Sequence, residues 1–306
     1  MMPTLHELQH KIKSADDLHG VVRTMKTLAA VNIRQYERAV ESLGEYNRTV
    51  ELGLRAVLLN RAPLKRQEAP AETVAMIFGS DQGMAGRFNE TIVDFASRTL
   101  AAQELSSERT MFWVVGARAA AAAEERFGSV EQLFALPSSA GLITASVQEI
   151  VLHFEGRQRE RGDARLVLFY NSPTTGTAYD QRSLPLLPPD QQWLEEIGTR
   201  RWPGRSLPLY TLPRDELFAA LIREYLFVSL FRAFAASLAA ENSARLAAMQ
   251  RAETNIREKK EELNARYHSV RQSFITEELL DVISGFEALT AGGATRRSSP
   301  TKEEEN

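Results

Sequence analysis

Two long stretches of this chain contain no proline, and that constrains its fold more than any other feature. Proline is missing between Pro3 and Pro63 and again between Pro213 and Pro300. A proline inside a helix costs about 3 kcal/mol, so each gap leaves room for one long helix. Alternating steps of three and four from Leu5 reach Leu8, Ile12, Ala15, Val22, Ala29, Ile33, Tyr36, Val40, Leu43, Val50, Leu54 and Val57. Only His19, Lys26 and Asn47 interrupt the series. A seam held this long is a coiled-coil pattern. It predicts a helix from Thr4 to Asn60, roughly 85 Å long at about 1.5 Å per residue. Gly20, Gly44 and Gly53 weaken that helix in isolation, so it needs a partner.

The second gap predicts a helix from Asp215 to Leu289, with Asp215 and Glu216 suited to the positive end of its dipole. Its apolar positions run through Leu217, Leu221, Val228, Phe231, Ala235 and Leu238. They then change phase through Met249, Ile256, Leu263, Val270 and Phe274. Between Glu241 and Arg271 it is heavily polar, so it pairs along a narrow seam or stands among other subunits. A compact domain of this size is roughly 40–50 Å across, too small for either helix. The economical arrangement winds the two helices together, antiparallel.

The middle alternates strand and helix. Thr73–Phe78 and Thr110–Val115 are apolar runs ending at Gly79 and Gly116, and each reads as a buried strand followed by a helix, Asn89–Ala102 and an alanine-rich one to Phe127. Val130–Leu136 reads as a short strand, Ile143–Arg159 as a helix, Arg165–Tyr170 as a strand and Thr177–Leu187 as its return. Gly156–Gly162, with Arg157, Arg159 and Arg161, reads as a solvated loop. The expected fold class is α/β: a long antiparallel coiled coil of the N- and C-terminal helices plus a central Rossmann-like α/β domain. The expected boundaries are 1–60 for the first helix, 61–214 for the central domain, 215–289 for the second helix and 290–306 for a disordered tail.

Several functions are disfavoured. The chain has 37 basic and 40 acidic residues, a balance that does not suit nucleic-acid binding. Without cysteine it has no thiol chemistry, disulfide or thiolate metal site. The most apolar window, Tyr225–Ala240, contains Arg232 and is flanked by Glu224 and Glu241, so no transmembrane helix is expected. No signal peptide is read at the start of the sequence. The turn Gly79–Asn89 lies where a phosphate loop would, but it matches neither GxGxxG nor GxxxxGK[ST] and reads as structural. His6-Glu7-Leu8-Gln9-His10 satisfies HExxH. His19, His153 and His268 lack the spacing of a third ligand, so the two histidines read as a solvated helix end. No catalytic, cofactor-binding or metal-binding residues are assigned, and no cofactor is expected.

Three segments together resemble the gamma subunit of F-type ATP synthases, the central rotor stalk. They are Ile12-Lys13-Ser14 with Val22–Ala30; Ser80–Asn89; and a C-terminal series of Glu241, Ala244, Arg245, Ala248, Met249, Ala252, Asn255, Leu263, Tyr267, Arg271 and Gln272. That series continues into the signature Ile275, Thr276, Glu278, Asp281, Gly285, Ala288 and Leu289. The resemblance covers residues 3–289. Asn32, Ala85, Arg87 and Phe286 depart from the family pattern, which suits a divergent bacterial version from an alternative complex.

The resemblance implies a non-catalytic shaft that couples ion flow through a membrane c-ring to ATP synthesis or hydrolysis in a hexamer of alternating alpha and beta subunits. It implies contacts with that hexamer, the epsilon subunit and the c-ring, at the cytoplasmic face of the bacterial membrane. By position, Met25 and Lys26 match a segment facing the beta subunits, and Arg271 and Gln272 match a pair contacting a beta-subunit loop. The competing expectation is a coiled-coil scaffold or adaptor with an α/β module and no rotary role.

Overall fold

A computed structural model describes residues 4–59, 72–103, 109–206 and 208–295, with side chains at the C-terminal end described as far as Gly285. The chain divides into two compact units: residues 25–250, and residues 1–24 with 251–306.

The first proline-free stretch forms α1 (Leu5–Ser42) and α2 (Gly44–Leu58), where one helix to Asn60 was expected. The break falls at Leu43, whose amide donates to the Val40 carbonyl at 3.2 Å in a tightened turn. Gly44, a weak helix former, follows it. Asn60 lies outside the described residues. A reciprocal cap opens α1: Thr4 N donates to Glu7 Oε2 at 3.1 Å, and Glu7 N donates to Thr4 Oγ1 at 3.2 Å. The second stretch forms α7 (Arg214–Thr295), so residues 290–295, expected to begin the tail, are helical. The remainder of that tail lies outside the described residues.

Within residues 25–250, the core is a five-stranded sheet: β1 (Glu72–Phe78), β2 (Thr110–Val115), β3 (Gln132–Phe134), β4 (Ala164–Pro173) and β5 (Tyr179–Leu187). Its order is β3-β2-β1-β4-β5. The first four strands are parallel, and β5 runs antiparallel to β4 along the edge. Successive strand side chains face opposite ways, so β1 supplies two cores. Ala75 and Ile77 join Phe112, Val114, Val167 and Phe169 under α3 (Phe88–Ala102) and α4 (Ala117–Phe127). Val74, Met76 and Phe78 join Trp113 and Leu168 under α5 (Ile143–Arg161) and α7.

Helix α6 (Gln191–Thr199) was not foreseen. Its Asp190 cap accepts from Gln192 N at 3.0 Å, and its Trp193 and Ile197 pack with Val50 and Leu54 of α2 and Val228 of α7. Here α2 and α7 run antiparallel. Tyr46 Oη donates to Glu224 at 2.5 Å, Gly53 lies under Leu221, and Arg214 Nε donates to the Val57 carbonyl at 3.3 Å. Gly53 therefore serves close approach: a Cβ there would stand 2.6 Å from a Leu221 methyl.

The arginine-rich stretch expected to be a loop is instead the end of α5. Arg157 is buried, bonded to Glu72 of β1, and donates to the Gly162 carbonyl at 3.0 Å. Arg161 pairs with Glu131 at 3.0 Å. A helical backbone places these side chains toward specific partners in the sheet domain, which local composition does not reveal.

In the other unit, the described parts of the two chain segments are antiparallel helices, the start of α1 and the last part of α7. Gln9 Nε2 donates to Tyr267 Oη at 2.9 Å, Asp16 pairs with Lys260 at 2.5 Å, and His19 lies 3.8 Å from Glu253. Partner numbers fall on α7 as they rise on α1. Leu8, Val22 and Leu263 are buried along the seam. The polar face of α7 is stabilised locally, with Glu262 bonded to Lys259 at 2.7 Å and Arg266 at 2.6 Å. The Lys259 bond, with Arg266 and Lys259 charge, holds the Glu262 carboxyl below its ordinary range.

Candidate partner-contact surfaces

The turn after β1 uses its polar groups internally. Gly79 N donates to the Val115 carbonyl at 3.0 Å, and Ser80 N donates to Asn89 Oδ1 at 2.9 Å. Asn89 Nδ2 returns a bond to Ser80 Oγ at 3.0 Å, and Ala117 N donates to Asp81 Oδ1 at 2.8 Å. In an open parallel sheet a ligand crevice lies at the strand C-termini beside such a turn. Here α7 fills that position. Ser237 Oγ donates to the carbonyl of Phe78, the last residue of β1, at 3.5 Å, and Ala240 and Ala244 pack on Ala85 and Phe88. The turn is a docking point for a helix.

At the start of α1, His6 and His10 are exposed, and Glu7 is engaged by the Thr4 cap. Among the described residues no three His, Asp or Glu side chains are grouped to hold a metal. No described helix is long and apolar enough to cross a membrane.

The most unusual surface is the end of α7. Every residue from Arg271 to Gly285 is exposed. Phe274, Ile275, Leu279, Leu280, Val282 and Ile283 are between 46% and 70% exposed. At about 100° per residue they spread over roughly 240° of the helix circumference. One neighbouring helix covers a single stripe, so these side chains call for surroundings on several sides. Sequence periodicity placed Phe274 in the seam. Leu263 is buried in that seam, and Phe274, further along the helix, is 51% exposed.

The positions matched to the family signature lie in this stretch. Arg271 and Gln272 are adjacent and exposed, at the base of the apolar group. Thr276 Oγ1 donates to the Gln272 carbonyl at 2.9 Å, so its hydroxyl is turned back onto the helix. Ile275, Glu278 and Asp281 point into solvent, and nothing lies within 4 Å of a Cβ built at Gly285. Met25 and Lys26, in the other unit, are half-buried on α1. In that same unit Leu28 and Val31 are exposed.

Sequence reasoning treated Glu241 as a charge bounding an apolar window and as part of a family motif. It is 3% exposed. Its carboxylate accepts from Arg245 Nη2 at 2.5 Å, an i,i+4 pair on α7. Burial pushes the Glu241 carboxyl above its ordinary range; Arg245 opposes that shift and Asp81 adds to it.

The family model described as ATP synthase matches residues 4–289, and the chain belongs to this family, that of the ATP synthase gamma chains. It is 28% identical over 319 residues to the ATP synthase gamma chain of Salinibacter ruber, covering 95% of this chain and 100% of that one. To the gamma chain of Chlorobaculum parvum it is 27% identical over 304 residues, covering 94% and 99%. Solved structures share the fold. A chain of the Euglena gracilis mitochondrial ATP synthase assembly of OSCP, F1 and c-ring has a TM-score of 0.63 at 19% identity, covering 98% of each chain. A chain of the Tetrahymena thermophila central stalk and c-ring has a TM-score of 0.54 at 20% identity, covering 76% of this chain and 99% of that one.

Proposed function

We propose that this chain is the rotor shaft of an F-type ATP synthase or ATPase, coupling ion flow through a membrane c-ring to ATP synthesis or hydrolysis in an alpha/beta hexamer. The observation that carries this reading is the exposed apolar end of α7. Six apolar side chains distributed around one helix suit a bore lined by several subunits, and a bore formed by a hexamer supplies one. Catalysis and nucleotide binding then belong to the hexamer. The crevice where a Rossmann-like sheet takes a ligand is filled in this chain by α7, which supports a non-catalytic role.

In this reading residues 1–60 and 215–289 form the shaft and residues 61–214 the head. The head meets the epsilon subunit and the c-ring, and the chain lies peripherally at the cytoplasmic face of a bacterial membrane. Met25 and Lys26 face the beta subunits. Arg271 offers charge-assisted hydrogen bonds to a beta-subunit loop, and Gln272 a neutral one; both break and re-form as the shaft turns. Torque transmission needs a shaft whose angular positions are inequivalent, so that each presents a different surface to the three catalytic sites. Two helices of unequal length and composition meet that need.

The test is purification of the tagged chain from its native cells under mild conditions. The expected companions are the alpha and beta subunits in excess over this chain, with ATPase activity that falls when the chain is stripped away. Recovery as a partner-free monomer or homodimer would favour the adaptor.

A further inference from the structure

We propose that the hydrogen bond between Asn32 of α1 and Asn242 of α7 fixes how far along α7 the helix α1 sits. This register role is a property of the isolated chain and does not depend on the rotor reading.

The apolar surface of α7 repeats itself from one turn to the next. One row of side chains reads Ala235, Ala239, Ser243 and Ala247, and the next reads Ala236, Ala240, Ala244 and Ala248. A slip of one turn, four residues, therefore lays a small side chain where a small side chain was. Ridges that shallow and that regular do not tell one register from the next by shape. The row that does change character is Leu238, Asn242 and Leu246. In the observed register Asn32 Nδ2 donates to Asn242 Oδ1 at 3.3 Å. One turn either way, Asn32 would face a leucine.

The amide of Asn242 is held for this contact. Its Nδ2 donates to the Leu238 carbonyl one turn back at 2.8 Å, which leaves Oδ1 to accept from outside the helix. Asn242 is 4% exposed and stands among the buried Leu238, Ala239 and Ser243, while Ala29 and Tyr36 are buried on either side of Asn32 along α1. Slipping the helices would strand the Asn242 oxygen away from water, and a buried acceptor without a donor is costly. A polar pair in an apolar helix seam lowers stability somewhat and selects one register. The contacts of Tyr46, Gly53 and Val57 with α7 belong to α2, past the break at Leu43, so α1 needs a mark of its own. Asn32 and Asn242 are positioning residues: they act through where α1 stands on α7.

The test uses the full chain, which contains no cysteine. Arg34→Cys on α1 and Ala220→Cys on α7, both at exposed positions, carry nitroxide labels, and pulsed electron spin resonance reads the distance between them. The labelled chain should show one distance. With Asn32→Leu and Asn242→Leu added, the chain should melt no lower, yet show a second distance displaced by roughly 5 Å, one helical turn. Asn32→Leu alone strands the Asn242 oxygen, so it should melt below both, and it too should show the second distance. A double variant that keeps the single original distance would overturn the proposal, since a pair that only adds stability leaves the register unchanged. If the double variant does not fold, Asn32→Leu gives the reading, and one unchanged distance there overturns the proposal equally. So would Asn32→Leu melting no lower than the labelled chain, because the buried oxygen would then not need its donor.

Discussion

Gly116 and Glu241 show how the surroundings of a single position decide what it tolerates. Gly116 has φ of +98°, a region that side chains rarely adopt, and a Cβ there would stand 2.8 Å from the Ser80 backbone. Gly116→Ala should therefore cost about 3 kcal/mol, seen as a lower urea midpoint at unchanged slope. Glu241 makes a prediction in pH. Its folded carboxyl titrates above the ordinary value of 4.5, so the folded chain holds this proton more tightly than the unfolded chain. The stability from that linkage is complete below the unfolded value and is lost as pH rises through the folded one. Glu241→Gln has no such dependence. The melting temperature of wild type relative to Glu241→Gln should thus rise as pH falls towards the ordinary carboxyl value of 4.5; a constant difference would place the carboxylate in water.

At the scale of elements, β1 and β2 are legible in the sequence because each is a continuous apolar run ended by a glycine. The terminal helices are legible because seam and proline gap agree. Helix α6 escapes because its Trp193 and Ile197 acquire meaning only when α2 and α7 close over them. The end of α5 escapes because its arginines look solvated until Glu72 arrives from β1. The candidate surface was half legible. Arg271 and Gln272 could be matched by position, but the exposure of Phe274 to Ile283 depends on where the seam ends. Arg271 and Gln272 are both exposed, so replacing both with alanine should shift stability by less than about 0.5 kcal/mol. The same change should lower ATP-driven pumping in vesicles relative to hydrolysis. Unaltered pumping would remove these two residues from the proposed beta-subunit contact. Truncation after Arg271 should leave the isolated chain folded and weaken its retention by the hexamer, as judged by gel filtration. Undiminished retention would show that the apolar helix end is not seated there.

For the whole molecule, the account stands or falls on whether the chain turns. Because it contains no cysteine, one introduced at the exposed Leu133 on the edge of the sheet gives a single attachment site. A bead is fixed there while the hexamer is held on a surface, and ATP is added. The account predicts rotation in one direction for as long as ATP is hydrolysed. A bead that stays still, or wanders equally in both directions, while hydrolysis proceeds would contradict it.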